Sequence, residues 1–167
     1  MSDSQIIHAP HNLKKAKIGT GPAKLDPKAI ERAERVVKDM EKDYAVWAQD
    51  DLGALDASFA RYRAKSGDPA ESMRTMFRIA LDMKGQGASF GYQMITRIAD
   101  LLAAFLEDRD TLGPFDCDVV AAHIAAMRAV FAQEVRGDGG VIGSALIDGL
   151  NKLIAKAAAQ AGNGAAS

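Results

Sequence analysis

Apolar residues recur at steps of three and four along most of this 167-residue chain, and no stretch alternates with a period of two. Because an α-helix turns once in about 3.6 residues, this spacing places the apolar side chains on one face of a helix. The pattern predicts five or six amphipathic helices joined by short loops. An antiparallel bundle buries all of these faces together, so the sequence predicts an all-α fold.

Proline, glycine and aspartate mark the expected helix ends. Asp26 and Pro27 suit the cap and the first position of a first helix, whose apolar stripe continues as far as Tyr62. This is one long helix or two, because the polar pair at 50–51 and the glycine at 53 can break it. The 66–69 segment, Ser-Gly-Asp-Pro, predicts a stop and a restart.

Three further breaks complete the predicted helix order. The second helix is expected from Pro69 to about Lys84 and the third over about 92–106, followed by a polar turn at 108–114. A fourth helix is capped by Asp116 or Asp118 and ends at the glycine-rich 137–140 segment, and a fifth covers about 142–153. The Ala/Gly-rich end, 157–167, is expected to fray.

Composition limits the class of protein. The formal net charge of -1 gives no field that favours nucleic acid, and no apolar run is long enough to span a membrane. Cys117 is the single cysteine, which excludes a disulfide within the chain and predicts a reduced, cytoplasmic location. Residues 1–25 lack hydrophobic periodicity and an apolar leader. We therefore expect a flexible tail over 1–25, a helical bundle over 26–160 and a disordered tail over 161–167.

The segment 81–91, Leu-Asp-Met-Lys-Gly-Gln-Gly-Ala-Ser-Phe-Gly, carries the most specific spacing in the chain. Lys84 and Gly85 lie one helical turn after Leu81, on the same face, and Gly91 follows ten residues after Leu81. Taken singly, the glycines predict a close helix crossing and Lys84 a solvated surface charge. Their joint spacing favours a functional surface.

This segment resembles the phosphorylated helix of histidine phosphotransfer (HPt) domains, whose motif is His-x-x-Lys-Gly with a glycine ten residues after the histidine. The resemblance is close over residues 79–100 and elsewhere consists of helix number and order. The run 84–92 is similar to a subgroup of HPt-like proteins of bacterial signalling and chemotaxis. The resemblance implies an antiparallel four-helix bundle of HPt type with an additional N-terminal helical segment.

The chain departs from the motif at the phosphoacceptor, because Leu81 stands in the histidine's place and has no nitrogen to phosphorylate. The resemblance therefore implies a non-enzymatic protein, without cofactor or metal, that binds a response regulator receiver domain or a histidine kinase without phosphotransfer. The implied partner-binding residues are Leu81, Lys84, Gly85, Gln86, Ser89 and Gly91. In this interpretation Gly85 leaves room for the partner's backbone and Gly91 lets the next helix pack closely. The methionines Met73, Met76, Met83 and Met94 are expected to fill the core, although an exposed Met83 would extend the apolar patch of Leu81.

Two alternatives stay open at this point. The protein is an active phosphotransferase if position 81 is naturally histidine or another residue accepts phosphate. However, His123 lies beside an apolar stripe and is expected to be packed, and His8 and His11 lie in the tail. The second alternative is a helical dimerisation or structural module, because the stripe from Ile30 to Tyr62 exceeds what the bundle needs, and a homodimer is compatible with either class.

Overall fold

The computed structural model describes residues 26–164, apart from the side chains of residues 41–43, 45 and 162–164. Its elements are α1 (Pro27–Arg63), α2 (Pro69–Gly87), a short 3₁₀ helix (Ala88–Phe90), α3 (Gln93–Glu107), α4 (Pro114–Ala132) and α5 (Gly140–Gly164). The described part of the chain contains no strand, so the all-α prediction is confirmed. Of the tails expected at 1–25 and 161–167, residues 1–25 and 165–167 lie outside the described residues, whereas residues 161–164 belong to α5.

The structure decides between the two alternatives for the first helix, and the boundaries of two later helices differ from the sequence prediction. The first helix is continuous through the polar pair at 50–51 and the glycine at 53. Helix α4 begins at Pro114 rather than after an aspartate cap, and Asp116 instead accepts a hydrogen bond of 2.9 Å from the backbone N–H of Gly113. Helix α5 continues through the end expected to fray, because alanine, which dominates that segment, is the best helix former.

The chain divides into two compact units, Met1–Val36 and Val37–Ser167. In the first unit, the described residues 26–36 are exposed, and they are helical from Pro27. The second unit holds the hydrophobic core, to which every α-helix contributes.

Helix α3 lies at the centre of the second unit. It packs against α2, α4 and α5, and its buried face is made of Met94, Ile95, Ile98, Ala99, Leu102, Ala103, Phe105 and Leu106. Helix α1 packs beside α2. The buried hydroxyl of Ser58 in α1 donates a hydrogen bond of 3.1 Å to the carbonyl oxygen of Ser72 in α2. At the end of α1, the Tyr62 hydroxyl accepts a hydrogen bond of 2.7 Å from the Leu112 N–H. Helix α2 buries one long side in this core and leaves the other side exposed.

None of the helices described here is both long enough and apolar enough to cross a membrane.

Candidate docking surface

The predicted motif lies on the open side of α2. Asp68 caps this helix by accepting a hydrogen bond of 2.9 Å from the Ala70 N–H, and Pro69 follows at the first helical position. The residues that α2 buries are Ser72, Met73, Met76, Ile79, Ala80, Met83 and Gly87. Leu81 falls between these positions and is 40% exposed.

The other predicted residues surround Leu81 at the surface. The side chains of Lys84, Gln86 and Ser89 are exposed, and so is Gly85. We call Leu81, Lys84, Gly85, Gln86 and Ser89 together the Leu81 surface. Met83 is not part of it, because this side chain is 1% exposed and lies in the core, as expected for the methionines.

Charged groups border the Leu81 surface on two sides. On the α3 side, the Lys84 ammonium pairs with the Asp100 carboxylate at 2.6 Å, and both side chains remain open to water. On the α1 side, burial and the nearby carboxylates of Asp82 and Asp50 raise the pKa of Asp51 above its usual range. Leu81 and Gly85 are therefore an apolar strip between an ion pair and an acidic edge.

The three motif glycines meet different structural needs. A Cβ at Gly85 would touch nothing within 4 Å, so packing inside the chain does not require glycine there. A Cβ at Gly87 would lie 2.7 Å from the Thr96 hydroxyl and 3.0 Å from the Thr96 backbone nitrogen. The close crossing of α2 and α3 thus depends on Gly87. The prediction that Gly91 makes this crossing is wrong.

Gly91 instead shapes the turn that follows. Its φ of 78° lies in the left-handed region, and its carbonyl oxygen accepts a hydrogen bond of 2.9 Å from the Gly137 N–H. The Met94 N–H in turn donates to the Gly137 carbonyl oxygen at 3.1 Å. The turn between α2 and α3 is therefore joined to the loop between α4 and α5, which fixes the end of the Leu81 surface.

Aromatic packing also stabilises the turn between α2 and α3. The rings of Phe90 and Tyr44 stack at 4.5 Å, and the Tyr92 ring lies 5.2 Å from that of Phe131. The guanidinium of Arg136 lies 4.0 Å from the centre of the Tyr92 ring and donates to the Phe90 carbonyl oxygen at 3.0 Å. The Phe90 and Tyr92 positions of the motif are thus structural, whereas its Leu81, Lys84 and Gly85 positions face outward.

Burial keeps the one histidine of the described residues away from the Leu81 surface. His123 is fully buried, and its Nδ1 lies 2.7 Å from the Val119 carbonyl oxygen. Burial lowers the pKa of His123, although the bond to Val119 opposes this shift. The expectation of a packed histidine is confirmed, and its ring cannot reach a docked protein without unfolding α4. His8 and His11 lie outside the described residues.

Sequence reasoning missed the residues that flank the surface from other parts of the chain. Asp100 and Asp51 lie 16 and 33 positions from Lys84 along the chain, and Arg136 lies still further away. No local pattern connects such positions, so only the packed structure brings them together. It also missed a cleft of about 720 Å³, lined in part by Tyr62, Arg63 and Cys117, at the opposite end of α2.

Comparison of the chain with protein-family models, with curated proteins and with solved structures found no match. The functional interpretation therefore rests on the motif and on the geometry described above.

Proposed function

We propose that this protein is an HPt-like signalling protein of a bacterial two-component system, which binds a receiver domain or a histidine kinase through the Leu81 surface and transfers no phosphate. The observation that carries the proposal is the exposure of Leu81 beside an unobstructed Gly85. In this proposal the bundle consists of α2, which carries the motif, and of α3 to α5, and α1 is the additional N-terminal helical segment. A cytoplasmic location accords with such a partner.

Chemistry at position 81 supports binding rather than phosphotransfer. A leucine side chain offers only carbon, so no phosphoramidate forms there. The charge of Lys84, which would offset a phosphoryl group on a histidine one turn earlier, is already matched by Asp100. Burying one leucine in an interface contributes about 1.5–3 kcal/mol, so the replacement exchanges a reactive group for contact area.

The structure supports the same conclusion at Gly85. Glycine in the interior of a helix costs about 0.5–1 kcal/mol relative to alanine. Contacts within the chain do not require glycine at this position, because a Cβ would meet open space. Close approach of a partner's backbone explains why a destabilising residue stands there. A protein with this surface sequesters a regulator or competes with an active phosphotransferase for it.

Binding to purified receiver domains and kinase domains of the source organism tests the proposal. We expect at least one of them to bind with a micromolar Kd in calorimetry. Leu81→Asp should weaken that binding by at least tenfold, since it places a charge in an apolar contact. Lys84→Glu should weaken it as well, because it reverses the charge beside Leu81.

Matched variants separate this effect from general damage. Val141 and Lys152 lie exposed on α5, so Val141→Asp and Lys152→Glu repeat the same chemical changes away from the Leu81 surface. Both controls should bind as the parent protein does. Absence of binding to every receiver and kinase domain, or equal binding by the Leu81→Asp and Val141→Asp proteins, would contradict the proposal.

A further inference from the structure

The cleft of about 720 Å³ lies where the end of α1 meets the starts of α2 and α4, entirely within the Val37–Ser167 unit. A volume of this order is the size that a small organic molecule occupies in a protein. We call it the Tyr62 cleft. The residues of its lining on which the argument depends are Tyr62, Arg63, Lys65, Leu112, Cys117 and Asp118.

The walls of the Tyr62 cleft are largely apolar and fixed in place. Tyr62 and Leu112 are half-buried, and the Tyr62 hydroxyl accepts its hydrogen bond of 2.7 Å from the Leu112 N–H. Pro69 and Pro114 also line the cleft, and they are the first residues of α2 and α4. Because proline fixes its own φ, these helix starts are rigid. The cleft is therefore preformed and offers ring and alkyl surfaces to an apolar ligand.

The charged side chains of the Tyr62 cleft favour an anion. Arg63 and Lys65 line it together with a single carboxylate, that of Asp118. Neither cation forms an ion pair with a residue that the structure describes. Burial raises the pKa of the Cys117 thiol in the cleft wall, and the positive charge of Arg63 opposes this shift. The charge of Arg63 thus acts inside the cleft, where the acidic group of a ligand would meet it.

Lys65 has a backbone conformation that favours glycine. Its φ of 52° lies in the left-handed region. The Lys65 N–H donates to the Tyr62 carbonyl oxygen at 3.1 Å, and the Ser66 N–H donates to the Arg61 carbonyl oxygen at 3.0 Å, which is the Schellman arrangement after a helix end. Glycine is the usual residue at this position, because a side chain destabilises the left-handed conformation. A cation required in the cleft explains why lysine stands there instead.

We propose that the Tyr62 cleft binds a small organic anion, whose acidic group lies beside Arg63 and Lys65 and whose apolar ring or chain packs against Tyr62 and Leu112. The Leu81 surface is at the other end of α2, twelve residues after Pro69. It takes no part in this site, so the proposal is independent of receiver or kinase binding.

Two fluorescent probes that differ in charge test the proposal on the full chain. Anilinonaphthalene sulfonate is an aromatic anion, and phenylnaphthylamine has the same rings without the sulfonate. We expect the anionic probe to bind the parent protein at one site with a micromolar Kd. The neutral probe should bind about tenfold more weakly, because it forms no ion pair. Absence of binding by the anionic probe, or equal Kd values for the two probes, would overturn the proposal.

Charge-removing variants test which residues meet the anion. Arg63→Gln/Lys65→Gln should bind the anionic probe about tenfold more weakly and the neutral probe as the parent does. The matched control is Arg61→Gln/Lys152→Gln, because Arg61 lies in the same last turn of α1 and neither of its two side chains lines the cleft. The control should bind both probes as the parent does. An equal loss of affinity in the two double variants would overturn the proposal.

Cys117 reports whether the probe occupies the cleft, since it is the single cysteine of the chain and is half-buried in the cleft wall. A saturating concentration of the anionic probe should slow the alkylation of Cys117 by iodoacetamide severalfold. The same concentration should have little effect on alkylation of Arg63→Gln/Lys65→Gln. An unchanged rate in the parent protein with the probe bound would place the probe elsewhere and overturn the proposal.

Lys65→Gly separates binding from stability. Glycine adopts the left-handed conformation without strain, so the unfolding temperature should rise. Loss of the ammonium group should at the same time weaken binding of the anionic probe severalfold. A higher unfolding temperature with unchanged affinity would show that Lys65 does not meet the ligand and would overturn the proposed site.

Discussion

Gly85 and Gly87 lie two residues apart on α2 but differ in their surroundings. Position 85 faces open space, whereas at position 87 a Cβ would press on the hydroxyl and the backbone nitrogen of Thr96. The sequence shows two similar glycines in one helix and gives no sign of this difference. Only the direction in which α3 crosses α2 decides which glycine is structural.

Alanine substitutions at these two positions should therefore have opposite effects on stability. Gly87→Ala should lower the free energy of unfolding by about 1–3 kcal/mol, because α2 and α3 must separate to admit the methyl group. Gly85→Ala should raise it by up to about 1 kcal/mol, because alanine favours the helix. Urea unfolding measures both, and a similar loss of stability in the two variants would contradict the geometry of the crossing.

His123 makes stability depend on pH. Its pKa is lowered in the folded state below the ordinary value of 6.5, so the unfolded chain binds the proton more readily. The stability linked to His123 is thus fully present above about pH 6.5 and is lost as the pH falls through 6.5 toward the lowered pKa.

Replacing His123 should remove this part of the pH dependence. Between pH 7 and 5 we expect the free energy of unfolding of the parent protein to fall more steeply than that of His123→Leu, by up to about 1.4 kcal/mol per pH unit. Urea titrations at several pH values measure the two slopes. Equal slopes would show that the pKa of His123 is the same in the folded and the unfolded chain.

At the scale of elements, sequence periodicity located the helices well and their ends less well. The stripe predicted for α3, Ile95 to Phe105, is buried throughout. The start of α4 was missed, because Asp116 stabilises the helix from its third position rather than as a cap. The 3₁₀ helix at Ala88–Phe90 was also missed, since it depends on the left-handed Gly91 and on aromatic packing beneath it.

The turn between α2 and α3 should respond as a unit to the loss of its aromatic support. Phe90→Ala removes the ring stacked on Tyr44 and should lower the free energy of unfolding by about 2–4 kcal/mol. Amide hydrogen exchange around residues 88–94 should accelerate more than exchange in the middle of α3. Uniform acceleration along both helices would show that the turn is not a separate local unit.

At the scale of the whole molecule, the all-α class followed from the sequence, but the exposed faces did not. One 3-4 stripe runs from Ile30 to Tyr62, yet Leu52, Leu55 and Phe59 are buried while Val37 and Met40 are exposed. The pattern is the same in both stretches. Periodicity shows that a helix face is apolar, but it does not show which element covers that face. The exposure of Leu81, in contrast, was expected from the resemblance of its segment to the phosphorylated helix of HPt domains.

Restoring the missing histidine is the most direct test of an HPt-like scaffold. In Leu81→His an imidazole occupies the exposed position, and a phosphoryl group leaving the aspartate of a phosphorylated receiver can bond to its nitrogen. We expect radiolabelled phosphate to pass from at least one receiver of the source organism to Leu81→His and not to the parent protein. Val141→His, which exposes a histidine on α5, should stay unlabelled. No labelling of Leu81→His by any receiver, or equal labelling of Val141→His, would contradict the account.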